Sequence, residues 1–122
     1  MTRPATVDTP EATFIASVDF PVAFLRAKLN TDGTVSVAGA ADLSRGSARE
    51  ACSAGQPVTV VRNQAPEAVY VSSGAIAIGA AVYGAAAGKV GTTNTGEKIG
   101  LARTATTAAD QRIIVERDSR IP

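Results

Sequence analysis

A stretch of the chain occurs twice, and this duplication restricts the possible folds more than any other feature. Residues 46–62 recur as residues 100–117, with one extra residue in the Ala-rich turn of the second copy. Each copy begins with Gly-x-Ala-Arg and closes on β-branched residues and an arginine. Self-similarity at this scale is typical of a structural unit used twice rather than of a catalytic motif. It therefore predicts a scaffold or binding protein.

Short apolar runs separated by turn residues make up most of the chain. Clusters of Gly, Pro, Asn or Ser interrupt it about every eight to twelve residues, and β-branched residues alternate with period two between them. Alanine favours helix, but glycine recurs too often for long helices to form. We therefore predict one all-β domain, a small β-barrel or β-sandwich with at most one or two short helical turns, for example within residues 47–54.

The N-terminal segment differs in composition from the rest. Residues 1–12 are rich in Pro, Thr and acidic residues, and they predict an extended arm that is ordered only where something holds it. Apolar segments follow at 12–17 and 22–29, and Pro21 favours an extended backbone at the residue before it. We therefore divide the chain into an extended N-terminal arm or docking segment, residues 1–21, and a single β domain, residues 22–122.

The sequence contains no recognisable set of catalytic or metal-binding residues. It has no histidine and one cysteine, Cys52, which argues against a zinc site and against an activated thiol. The acidic residues are isolated and do not have calcium-loop spacing. Gly84–Lys89 superficially resembles a phosphate-binding loop, but it has three residues instead of four between its glycines, and Val90 follows the lysine. We predict no enzyme activity, no cofactor, no metal and no small-molecule substrate.

Charge and hydropathy exclude two further classes of partner. The formal net charge is +1, with both signs spread along the chain, so no basic surface for nucleic acid is predicted. The most apolar region, residues 75–87, is too short for a membrane span and contains Gly79 and Gly84. The N-terminus lacks the apolar run of a secretory signal. These features predict a soluble protein made in a cytoplasm.

A pattern of small residues in the second half resembles a known family. Its segments are Gly74–Tyr83, Gly88-Lys89-Val90, Ile99–Ala102 and Ala109–Val115. This succession resembles the small capsid-cement or head-decoration proteins of tailed bacteriophages, and the likeness covers residues 34–118. The resemblance implies a β subunit on the outer capsid surface of the virion, made in the host cytoplasm, that bridges neighbouring major capsid proteins. The N-terminal third departs from the pattern.

The resemblance also implies partners, and the N-terminal segment supplies our own candidates for contact residues. We expect the major capsid protein and further copies of this chain as partners, with a trimer favoured over a dimer. An Ala-rich core with three Phe, two Tyr and no Trp makes such association a natural additional source of stability. The capsid-contact candidates lie in the N-terminal segment: Arg3, Pro4, Val7, Phe14, Ile15 and Phe20. The alternative for the last three is that they are core residues of an edge strand.

Two arginines occupy matching positions in the duplicated segments. Arg49 and Arg103 are candidates for inter-subunit ion pairs or for capping equivalent turns, and the alternative is a solvated surface role. A different function also stays open, namely a small β binding module of a phage tail or adhesin that recognises a host surface or carbohydrate. Tyr70 and Tyr83 are the tyrosines available for such a surface.

Overall fold

Ten strands and one short 3₁₀ turn form the described part of the chain, which in this computed structural model comprises residues 11–62, 65–94 and 96–117. The first five strands are β1 (Glu11–Ile15), β2 (Arg26–Leu29), β3 (Val35–Val37), β4 (Gly46–Ala48) and β5 (Pro57–Arg62). The other five are β6 (Glu67–Val71), β7 (Ala81–Gly84), β8 (Val90–Gly91), β9 (Lys98–Ala102) and β10 (Arg112–Glu116). The 3₁₀ turn, Ala86–Gly88, connects β7 to β8. The all-β prediction is confirmed.

The two sets of five strands form two sheets with the same topology. The first sheet has the order β1-β5-β4-β2-β3 and the second β6-β10-β9-β7-β8, with antiparallel neighbours throughout. Replacing each strand by the one five places later converts the first order into the second. We therefore name residues 11–62 repeat 1 and residues 67–117 repeat 2. The architecture is sandwich-like rather than a closed barrel.

Hydrogen bonds outside the strands are duplicated as well. Backbone bonds join Phe20 to Cys52 in repeat 1 and Ile76 to Thr106 in repeat 2. Isolated parallel bridges link Ala16 to Val35 and Ser72 to Val90. The repeated segment of the sequence is therefore only the C-terminal part, β4–β5 and β9–β10, of a duplication that includes all ten strands.

One backbone conformation is shared by two unlike residues. Phe24 has φ 72° and Gly79 has φ 84°, and their amides donate to the equivalent carbonyls of Ala48 and Ala102. This left-handed conformation suits glycine and is unfavourable for a phenylalanine. The Phe24 ring lies under the guanidinium of Arg112, with 4.9 Å between the Cζ atom and the ring centroid.

Each repeat has its own small core. Alternate residues of two strands are buried in these cores: Val58 and Val60 in β5, and Ile113 and Val115 in β10. The first core consists of Ala16, Phe20, Leu25, Ala27, Val35, Ala48, Val58, Val60 and Val71. The second consists of Tyr70, Ile76, Val82, Val90, Ile99, Ala102, Ile113 and Val115. Val71 belongs to β6 of repeat 2, yet it packs in the core of repeat 1.

Two segments differ from the sequence-based expectation. Residues 11–21 lie within repeat 1, because β1 pairs with β5 from Glu11 opposite Val61 to Ile15 opposite Pro57. Strand β4 occupies the start of the segment 47–54 in which a helical turn was considered, since pairing with β2 and β5 satisfies its backbone. An arm or docking segment stays a prediction for residues 1–10, which lie outside the described residues.

Candidate functional site

The structure separates the predicted contact residues into different environments. Arg3, Pro4 and Val7 lie outside the described residues. Phe20 is 1% exposed and Phe14 is partly buried against the first core, so both contribute to the interior of repeat 1. Ile15 is 46% exposed on the edge strand β1. Of the three apolar candidates in the described residues, Ile15 is the one that offers a large apolar side chain to a partner.

Arg49 and Arg103 make equivalent ion pairs within the chain. Arg49 Nη1 lies 2.8 Å from Oε2 of Glu11, and Arg103 Nη1 lies 2.7 Å from Oε1 of Glu67. Both arginine side chains are about half exposed, and such pairs contribute little to stability in water. In repeat 1 the pair joins the residue after β4 to the first residue of β1, and in repeat 2 it joins the residue after β9 to the first residue of β6. A role between subunits stays a prediction for both arginines.

The described residues have properties that bear on metal binding, thiol chemistry and membrane insertion. Among them, no group of three or more His, Cys, Asp or Glu side chains is placed to hold a metal ion. Burial raises the pKa of the half-buried Cys52 thiol, which opposes the thiolate form required of a nucleophile. The described part of the chain has no helix whose length and apolar character would allow it to cross a membrane.

Arg26 is the most unusual polar residue in the structure, and sequence reasoning missed it. It lies at the start of β2 between two core residues, and it is completely buried. Its guanidinium donates five hydrogen bonds, one to a carboxylate and four to backbone carbonyls. The acceptors are Glu97 Oε2 at 3.0 Å and the carbonyl oxygens of Gly39, Asp42, Ala85 and Lys89. The sequence signal was an arginine within the apolar run Val22–Ala27.

Arg26 joins the two repeats. Glu97, Ala85 and Lys89 belong to repeat 2, whereas Arg26 and its other acceptors belong to repeat 1. Glu97 Oε2 also accepts hydrogen bonds from the backbone and hydroxyl of Ser44. Gly84 makes room for the guanidinium, because a Cβ there would lie 2.8 Å from the Cζ atom of Arg26. We call the surface on which the two repeats meet the seam.

Exposed apolar side chains are the other notable feature. Within residues 11–62, 65–94 and 96–117, six large ones lie on the surface: Ile15, Val18, Val22, Leu29, Leu43 and Ile78. Leu43 and Ile78 are 77% and 70% exposed, and both belong to connections between strands. Exposed apolar groups of this kind suit contact with another protein surface.

The comparisons with known proteins agree with this arrangement. No curated protein matches the chain. The phage cement protein family matches residues 1–117, so the match includes the N-terminal third that departs from the pattern of small residues. The resemblance drawn from the second half of the sequence is thereby confirmed. The match over residues 1–117, together with the all-β fold, identifies the chain as a member of the phage cement protein family, the structural virion proteins that stabilise the capsid.

Proposed function

We propose that this protein binds the outside of an assembled phage head, bridges neighbouring major capsid proteins, and acts as a homo-oligomer, a trimer in preference to a dimer. The family match over residues 1–117 carries the proposal. A cement protein binds capsid proteins in the virion. We further propose that this one covers the outer face of the shell and that several copies act together. We also propose that the protein has no catalytic activity.

The physical properties of the fold support a bridging role. Two small cores are joined by a buried arginine that donates hydrogen bonds across both repeats, and each core lies against a five-stranded sheet. Because the two repeats have the same topology, the molecule presents related surfaces at two places. Related surfaces suit contact with neighbouring copies of one capsid protein.

The alternative of a carbohydrate-binding or adhesin module receives less support. Sugar recognition commonly uses exposed aromatic rings, and Tyr70 is buried in the second core. Burial, aided by the negative charge of Glu97, raises the pKa of Tyr70 to about 12. Tyr70 is therefore a core residue rather than part of a recognition surface.

Co-sedimentation with expanded phage heads that lack this protein tests the proposal. We expect the purified protein to pellet with such heads and to raise the temperature at which they release their contents. A protein that stays in the supernatant at all concentrations would contradict the proposed function.

A deletion of residues 1–10 tests the N-terminal contact. It removes Arg3, Pro4 and Val7 and leaves β1 complete, so we expect normal melting and reduced occupancy of heads. Substitution of Val18 by Asp is the matched control, because it adds a charge at an exposed apolar residue and leaves the N-terminal segment intact. Unchanged occupancy after the deletion would remove the arm from the proposal.

A further inference from the structure

The seam joins two different faces of the repeats. Repeat 1 contributes Leu25, Arg26 and Ser47, which we call its receiving face. Repeat 2 contributes Val71, Gly84 and Glu97, which we call its inserting face. Val71 enters the first core, Gly84 and Glu97 contact Arg26, and the Ser47 hydroxyl donates to the carbonyl of Val69. A contact between unlike faces is heterologous, and it leaves one face of each kind unused.

Strand register identifies two residues of the unused inserting face of repeat 1, and sequence alignment on Gly46 and Gly100 gives the third. Ile15 pairs with Pro57 as Val71 pairs with Arg112, and Leu29 pairs with Val35 as Gly84 pairs with Val90. Leu43 stands three residues before Gly46, as Glu97 stands three residues before Gly100.

All three equivalents in repeat 1 are exposed large apolar residues. Ile15 is 46% exposed, Leu29 38% and Leu43 77%. The inserting face of repeat 1 is therefore apolar and exposed to solvent, whereas the inserting face of repeat 2 is buried in the seam.

The unused receiving face of repeat 2 is apolar as well. By the same register, Ala80, Ala81 and Leu101 are the equivalents of Leu25, Arg26 and Ser47. Each of them is partly exposed. Arg26 and Glu97 of the seam thus align with Ala81 and Leu43 on the unused faces, so apolar side chains stand in place of both charges.

We propose that the unused faces bind each other between copies of this chain, so that the inserting face of repeat 1 packs on the receiving face of repeat 2 in the next copy. The contact repeats the geometry of the seam, with apolar side chains in place of its buried ion pair. Heterologous contacts close into a ring where the rotation allows, and three copies would place six repeats around it. This inference rests on the homo-oligomer of the proposed function and names its interface.

Charge substitutions in the free protein test this interface. In sedimentation equilibrium we expect Leu43→Glu and Ala81→Arg each to weaken self-association at least about thirtyfold, because each buries an unpaired charge. The double variant restores the pairing seen between Arg26 and Glu97, so we expect it to regain most of the association. If the double variant stays dissociated, positions 43 and 81 do not face each other across the contact, and the inference is overturned.

Cross-linking provides a measurement that does not depend on charge. Thr13 and Leu101 are the equivalents of Val69 and Ser47, which meet where β6 approaches β4. In a Cys52→Ser background, Thr13→Cys with Leu101→Cys is expected to form covalent oligomers with a short thiol cross-linker. Each single-cysteine variant is the control, and we expect it to remain a single chain on a denaturing gel.

The outcomes separate this inference from the proposed function. The proposed interface is overturned if the wild-type protein is monomeric at all concentrations and the two-cysteine variant forms no cross-links, either free or on heads. Head binding is then still judged by co-sedimentation. Cross-links in the single-cysteine variants also overturn it. A cross-linked oligomer that fails to bind heads supports the interface and contradicts the proposed function. If Leu43→Glu abolishes head binding by a monomeric protein, the partner is the capsid protein and the inference fails.

Discussion

Arg26 is a fully buried charge whose guanidinium has hydrogen-bond partners in both repeats. Burial of an ion is costly unless its hydrogen-bonding capacity is satisfied and its charge is balanced. Glu97 and four backbone carbonyls meet both conditions. Removing the arginine alone leaves the carboxylate of Glu97 without its counter-charge and removes five hydrogen bonds from the seam.

We expect Arg26→Met to lower the free energy of unfolding by about 3–5 kcal/mol, the usual loss when one partner of a buried pair is removed. Urea denaturation monitored by circular dichroism measures it. Arg103→Met is the matched control, since it breaks an exposed pair and is expected to cost under about 1 kcal/mol. Similar losses in the two variants would show that the buried network contributes no more than a surface pair.

The raised pKa of Tyr70 predicts that the folded protein loses stability at alkaline pH. Its pKa is raised from 10.0 to about 12 in the folded protein, chiefly by burial. Between these values the folded state retains a proton that the unfolded state releases, so this contribution is complete below pH 10 and is lost as the pH rises through 12. Two pH units correspond to roughly 2–3 kcal/mol.

The Tyr70→Phe variant removes that ionisation, so its stability is expected to fall less steeply above pH 10. Urea denaturation at a series of alkaline pH values measures the difference in slope. Tyr83→Phe is the control for loss of a hydroxyl from a partly exposed tyrosine. If Tyr70→Phe and wild type lose stability in parallel, the tyrosine does not cause the alkaline loss.

At the scale of strands, a glycine in each repeat allows a close approach between neighbours. A Cβ at Gly46 would lie 2.0 Å from the carbonyl oxygen of Val61, and one at Gly100 would lie 2.2 Å from that of Glu116. Both obstacles are backbone atoms, which cannot move without shifting β5 or β10. The Gly-x-Ala-Arg sequence therefore has the same packing role in both repeats.

Alanine at either glycine should displace the neighbouring strand. We expect Gly46→Ala and Gly100→Ala each to lower the free energy of unfolding by at least about 2 kcal/mol, within the range found for overpacked interiors. Gly74→Ala is the control, because its added Cβ meets no atom within 4 Å. Thermal melting of the three variants would contradict the argument if all of them matched wild type.

At the scale of the whole molecule, the repeats share structure across the seam. Val71 of repeat 2 belongs to the first core, and Arg26 of repeat 1 is held by repeat 2. The first core is therefore incomplete without Val71, and the hydrogen bonds of Arg26 are incomplete without repeat 2. The protein is consequently one folding unit, although its topology is duplicated.

We therefore expect calorimetric unfolding in a single transition, with the van't Hoff enthalpy equal to the calorimetric enthalpy of the cooperative unit. Differential scanning calorimetry of the wild-type chain measures both quantities. Arg103→Met, which leaves the seam intact, is expected to behave in the same way. Two resolved transitions would indicate that the repeats unfold independently.

The elements predicted with local signals agree with the structure. The β-branched residues that close each duplicated segment, for which alternation predicts strands, lie in β5 and β10. Alternation and turn residues act over a few positions, so they are visible in the chain itself. The structure of segment 11–21 is harder to predict from the sequence, because the pairing of β1 with β5 depends on residues far away along the chain.

The amino-acid sequence by itself determined the all-β class, the absence of histidine chemistry, and the family, since these follow from composition and local pattern. Only the tertiary structure decided that the duplication includes all ten strands, that Arg26 is buried, and that the repeats meet through unlike faces. Hydrogen bonds between backbones preserve register while side chains change, so equivalent positions such as Arg26 and Ala81 share no sequence signal. Their relationship becomes visible when the strands are paired.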